Sequence, residues 1–420
     1  MNSLFKNSLW LMLDKILVVL GGILVSIFVA RYLGPDNFGK ITLGVTLSGF
    51  SLIISQWGAS QFIFSLYSKN NFKAINYVFT SEGVRTFIYI IVVVFVFIFL
   101  QFTKYAVDSF FLLAVMLSQI FFSLDLYQFI LNASLSSKVS AKSNMIGVLC
   151  ANLLRVILVL SHSSAILFII PYFINGFIQW FRKKKYVREN LLGGMTLRMQ
   201  NMFFKRGRDF LIITLVSFIM SKSNYLFLGF FLDYESLAIF SAMFMLSYSW
   251  IFFPQAICTS LLAHILSNEK IKEENISPVI LVNILIFIPV LIVVCFFSNY
   301  IIEISFGFDY IAGREFIIIL FISSFFSCLN FSINRVISRY HEGGSFLLKK
   351  NIILTFLMLP MSFTLISNFG AYGAAWSILL IESLGSVVLN LFFNKGVFVR
   401  VFLNLPFSSK LLINMLLKKA

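Results

Sequence analysis

Six ionisable side chains stand inside long apolar runs of this 420-residue chain: Asp14 and Lys15 in LDKILVVLGG, Asp125 in FFSLDLYQFIL, Arg155 in ANLLRVILVL, Lys222 in IMSKSNYLFLG and Glu382 in LLIESLG. Inserting such a group at mid-bilayer costs roughly 2.5–3.5 kcal/mol, so it faces a bundle interior or a water-filled gap rather than lipid. Arg suits a phosphate as a bidentate fork and Lys as a point charge. The carboxylates can lock helices together as ion pairs. They can also take up a proton or sodium and couple movement of a solute to a gradient. Three buried cations exceed what a neutral solute needs, so charge alone points to an anionic, phosphorylated substrate.

The local settings differ. Asp14 and Lys15 are neighbours, about 100° apart on a helix, and cannot pair well with each other. Lys15 has a stem long enough to snorkel to the interface. Arg155 lies past the middle of its run and Lys222 in the middle of its own, which makes these two the main candidates for a wet cavity. Asp125 is expected to pair with Lys15 or Arg155, and Glu382 to balance Arg155 or Lys222. Arg85 and Arg335 sit at the ends of runs, where they anchor at the interface or recruit an anionic head group. Gln56, Gln119 and Gln128 are uncharged lining candidates or interhelical hydrogen-bonders. Pro254, Pro289 and Pro360 mark kinks. His162, His264 and His341 lack metal-ligand spacing. No nucleophile–base arrangement, zinc motif or phosphate-binding glycine loop is visible, so no catalytic or metal site is expected.

The elements that must position these groups are membrane helices. Hydrophobic residues make up 59% of the chain and charged ones only 12%, against about 25% charged in soluble domains. The expected fold is an all-α polytopic membrane protein. About twelve transmembrane helices of about 20 residues each form two six-helix lobes around a central cavity. The N-terminal lobe is expected over 1–181, a basic cytoplasmic linker over 182–209, the C-terminal lobe over 210–393 and a basic cytoplasmic tail over 394–420. With the N-terminus inside, one set of loops carries most of the Lys and Arg, while the other holds Arg31, Lys40, Lys104 and Arg314. The positive-inside rule then places both termini in the cytoplasm. It also explains the formal charge of +16 without nucleic acid.

The halves show a faint repeat. FVARYLGPDNFGKIT (28–42) aligns without gaps on FLGFFLDYESLAIFS (227–241), so that Phe28 meets Phe227 and Leu33 meets Leu232. A match in the same direction implies parallel repeats about an axis along the membrane normal, the architecture of an alternating-access transporter.

The run LDKILVVLGGILVSIFVARYLGPDNFGK resembles the first-helix signature of bacterial O-antigen and capsule oligosaccharide flippases. These form the polysaccharide transporter family of the multidrug/oligosaccharidyl-lipid/polysaccharide exporter superfamily. Asp14-Lys15, Ala30-Arg31-Tyr32-Leu33-Gly34-Pro35 and Phe38-Gly39 carry the likeness. DLYQFILNASLSSK adds Asp125, Tyr127, Gln128 and Lys138, and Arg155 follows at the family's distance. The second half departs from the pattern at Lys222 and in its Leu-Asp-Tyr-Glu-Ser turn.

The resemblance implies a non-enzymatic flippase in the bacterial cytoplasmic (inner) membrane. It would move undecaprenyl-pyrophosphate-linked oligosaccharide, an O-antigen or capsule repeat unit, from the cytoplasmic to the periplasmic leaflet, with no cofactor beyond a coupling proton or sodium ion. Lys15, Arg155 and Lys222, with Arg31 and Arg85, would bind the substrate. Asp14, Asp125 and Glu382 would be coupling or ion-pair residues. Membrane lipids and the pathway's polymerase and chain-length proteins are the implied partners. The alternatives are a membrane-embedded polymerase or ligase, which generally needs a large extracytoplasmic loop that this chain lacks, and a multidrug-type cation antiporter of the same fold, whose cavity should be dominated by acids.

Overall fold

A backbone in lipid must satisfy its own N–H and C=O groups, and a helix does so within one segment. In a computed structural model, which describes residues 3–191, 202–266 and 276–408, the described residues form helices and no strand. Among the described residues, ten helical runs are long and apolar enough to cross a membrane. Two of them, Gly21–Lys69 and Gly343–Leu391, have 49 residues each, about 70 Å if straight and more than twice the about 30 Å hydrocarbon thickness. Neither is straight.

The chain divides into two compact units, Met1–Gly229 and Phe230–Ala420. The first opens with α1 (Ser3–Gln56), which turns at Gly34, where φ is 72° and ψ 169°. A side chain would strain that conformation, and the Pro35 ring that follows has no N–H to continue the helix. Three contacts fasten the turn. Lys40 pairs with Asp36 (2.9 Å) and with Asp108 (3.2 Å), and the Tyr32 hydroxyl donates to the Ser163 carbonyl (2.9 Å).

The unit continues through α2 (Ala59–Lys69), α3 (Asn71–Thr80) and α4 (Glu82–Gln101). The expected fourth span is broken into α5 (Ser109–Ser118), α6 (Ile120–Leu124) and α7 (Tyr127–Ala133). Next come α8 (Ser137–Leu160), α9 (Ile170–Asn190) and α10 (Met202–Phe231). One core gathers Phe62, Ile63, Tyr77, Tyr127, Ile130 and Val187 from α2, α3, α7 and α9. α10 packs here too: Phe210 joins this core, and the Phe218 ring lies 6.2 Å from Phe50 on α1. The division between units thus falls one helix beyond the basic run at 182–209.

That run is not a loop where it begins. α9 continues through Arg182–Asn190, nine residues past the expected end of its span. Residues 192–201 lie outside the described residues.

The second unit holds α11 (Tyr234–Ser249), α12 (Phe252–Leu266), α13 (Ser277–Phe306), α14 (Arg314–Ile337), α15 (Gly343–Ser383), α16 (Leu389–Leu391) and α17 (Val397–Leu403). Asp233 caps α11, its carboxylate accepting from the Ser236 N–H at 2.7 Å, so a favourable N-cap follows Leu232 just as Gly34 follows Leu33. The aligned turns therefore both interrupt a helix, by different chemistry. α15 turns at Gly370, with φ 58° and ψ −136°, a region closed to residues with a Cβ. Leu262, Ile280, Leu329, Ile333 and Phe398 form the core of α12, α13, α14 and α17. Phe95, Phe296 and Phe356 are exposed, as lipid-facing residues must be.

Candidate functional site

Arg85 follows the start of α4 by one helical turn, and its side chain is 0% exposed. Its guanidinium donates to the carbonyls of Ser123 and Leu124 (3.1 Å each) and of Val78 (2.9 Å). α6 ends at Leu124, and the last carbonyls of a helix lack intrahelical partners. Arg85 supplies them, and its charge complements the negative helix end. It is enclosed protein architecture, not an interface anchor, and it leaves the set of cations available to an anionic substrate.

Asp125 occupies the break after α6. It pairs with Lys183 of α9, not with Lys15 or Arg155, and both partners are buried. One helical turn from Arg85, the Glu82 carboxylate accepts from the Tyr127 hydroxyl (2.7 Å) and the Trp180 indole N–H (2.9 Å), and pairs with Lys184 (2.5 Å). The Lys184 Nζ also lies 4.7 Å from the Trp180 ring centroid. These acids and bases clamp α4, the α6–α7 break and α9 together, and a salt-bridged acid of this kind has its charge already spent on packing.

Sequence reasoning misses Lys183 and Lys184 because four consecutive cations at 182–185 read as a solvated linker, and with them goes their link to Glu82. A usable signal existed: the buried positions Gly176, Gln179, Lys183 and Val187 keep helical spacing through the basic run.

Arg155 is placed differently. Half-buried within α8, its guanidinium donates to the Asn152 side-chain oxygen (2.8 Å) and lies 4.6 Å from the Tyr172 ring centroid. Asn152 is held in turn by the Gly21 carbonyl (3.3 Å). A guanidinium has five N–H donors. Among the described residues no carboxylate pairs with Arg155. Lys222, half-buried on α10, has its Nζ 4.3 Å from the Tyr225 ring centroid and likewise no carboxylate partner among the described residues. Arg31 is exposed in the last turn before Gly34. The side chains of Asp14 and Lys15 lie outside the described residues.

In the second unit Glu382 balances neither Arg155 nor Lys222. It hydrogen-bonds Ser327 and Asn330 and lies within the field of Lys350. Lys350, which reads as a loop cation in the sequence, is 2% exposed. Its ammonium donates to the side-chain oxygens of Asn330 (2.9 Å), Asn334 (2.5 Å) and Asn390 (3.1 Å), and to the Gly385 carbonyl (3.1 Å). Arg335 donates to the Thr259 hydroxyl (3.1 Å) and covers the Phe331 ring.

The sequence family described as polysaccharide biosynthesis protein matches residues 28–312. No curated protein matches the chain. Among solved structures, the lipid II flippase MurJ in an inward closed conformation is 14% identical with a TM-score of 0.69, covering 99% of this chain and 93% of its own. An inward-facing multidrug resistance MATE family transporter of the MOP superfamily is 11% identical, with a TM-score of 0.61 and coverage of 92% and 95%. The eukaryotic MATE transporter AtDTX14 is 12% identical, with a TM-score of 0.55 and coverage of 97% and 100%. At these identities the likeness is one of fold.

Proposed function

The chain belongs to the polysaccharide biosynthesis protein family, and on that premise we propose that it is a flippase. Its substrate is an undecaprenyl-pyrophosphate-linked oligosaccharide, an O-antigen or capsule repeat unit, carried from the cytoplasmic to the periplasmic leaflet by alternating access. It acts as a transporter and not as an enzyme, in the bacterial inner membrane, with both termini cytoplasmic. On this reading each 49-residue run makes two crossings, and the ten apolar runs supply twelve spans.

Arg155 carries this reading. A guanidinium inside an apolar run, steadied by a neutral amide and an aromatic face and with no carboxylate partner among the described residues, suits a pyrophosphate far better than a cationic drug. Lys222 offers the same chemistry with a point charge. Lys15 and Arg31 add charge on α1, and membrane lipid takes the polyprenyl tail. Asp14 and Glu382 remain the coupling candidates for a proton or sodium ion, whereas Asp125 serves as an ion pair. The pathway's polymerase and chain-length proteins are the natural partners.

Loss of the gene should trap lipid-linked repeat units on the cytoplasmic face. Arg155→Ala and Lys222→Ala should abolish surface polysaccharide while membrane abundance stays at the parental level. Full surface polysaccharide in both variants would overturn the pyrophosphate site. Unpolymerised units already at the periplasmic face would point instead to a polymerase.

A further inference from the structure

Lys350 brings together the end of α14, the start of α15 and the helix around α16. Four oxygens face one ammonium: three side-chain amide oxygens and one backbone carbonyl, at 2.5–3.1 Å. An ammonium has three N–H groups and no acceptor, so four acceptors exceed its hydrogens, and at least one hydrogen is shared. A neutral amine would turn a lone pair towards one of these oxygens.

The cage is also oriented. The Asn390 amide N–H donates to the Ser386 carbonyl (2.8 Å), which turns its oxygen towards Lys350. Asn330 presents its oxygen to Lys350 and hydrogen-bonds the Glu382 carboxylate. The Gly385 carbonyl comes from a π-helical turn, Leu384–Val388, a local widening often found at functional sites. Carbonyl oxygens gathered around one point are how proteins replace the hydration shell of a small cation, whereas an ordinary buried lysine is matched by a carboxylate.

We propose that Asn330, Asn334, Asn390 and the Gly385 carbonyl form a monovalent-cation site whose resident cation is the tethered ammonium of Lys350, and that a free ammonium or alkali ion occupies it once that side chain is removed. The second unit thereby carries its own cation and needs none from solution at this place. Glu382, one amide away, supplies the balancing negative charge. This assignment stands apart from the pyrophosphate reading of Arg155 and fails or holds separately.

The test uses the purified full-length protein and its melting temperature in choline, sodium, potassium and ammonium chlorides at equal ionic strength. Lys350→Ala should melt low in choline and rise saturably in at least one of the small-cation salts, while the parent responds to all four alike. Equal response of Lys350→Ala to choline and the small cations would overturn the proposal. If that variant does not fold, Asn334→Asp decides: against a resident ammonium the added carboxylate raises the melting temperature by about 2–4 °C. A fall would show that the cage holds no fixed cation.

Discussion

Lys183 in the first unit and Lys350 in the second are both enclosed, at 0% and 2% exposure, yet their surroundings are opposite in kind. Lys183 meets the Asp125 carboxylate, and Arg85 and Lys184 beside it are equally committed, to carbonyls and to Glu82. Lys350 meets neutral oxygens, with its acid, Glu382, reached through Asn330. Desolvating a charge is expensive, and a directly paired partner repays most of that cost in one contact. A ring of dipoles spreads it over several helices. The first arrangement is a clamp between α4, α7 and α9, and the second is a socket. The half-buried Arg155 is neither: it rests on the Asn152 amide and the Tyr172 ring.

Breaking the clamp should have the largest effect. Asp125→Ala strands a buried ammonium, and a loss of about 3–5 kcal/mol is expected, read as detergent-solubilised protein that unfolds early or fails to accumulate. Asp125→Leu with Lys183→Met should recover most of it, because an apolar pair of similar volume replaces a buried ion pair at little cost. No recovery would mean that the pair does more than neutralise itself. Lys350→Met sharpens the contrast from the other side. It removes the charge and leaves amides wanting a donor, so the expected loss is smaller, about 1–3 kcal/mol; a loss as large as that of Asp125→Ala would erase the distinction between clamp and socket. Lys40→Ala, at the partly exposed Asp36 and Asp108 pairs, should cost the least, about 0–1 kcal/mol, measured as a small change in melting temperature.

Much of the scaffold was legible in the residues. Gly34-Pro35 announced the turn in α1, and the alignment of Leu33 with Leu232 located a second helix break at Asp233. The ionic architecture was less so. Asp125 and Glu382 were recognisable as buried acids, but their partners lie 58 residues away in one case and, in the other, at a position that reads as loop just ahead of an apolar run. Arg85 looked like an interface anchor because it sits near the end of an apolar run, a position that says nothing about which helix end packs over it. Lys183 and Lys184 were hidden by their neighbours: a block of cations resembles solvent-exposed chain unless the helical spacing on either side is followed through it.

The residues alone are enough to show a helical, membrane-embedded chain, its turn at Gly34, and which residues carry charge into apolar surroundings. Those properties are local, fixed by the apolar content of a segment and by its need to satisfy its own backbone. It took the packed fold to show that Lys183 neutralises Asp125, that Arg85 caps α6, that Lys350 sits in an oxygen socket and that Arg155 leans on Asn152 and Tyr172. Each depends on which helix faces are pressed together. Side-chain pairing acts over a few ångströms between segments far apart in the chain, and no local pattern encodes that distance.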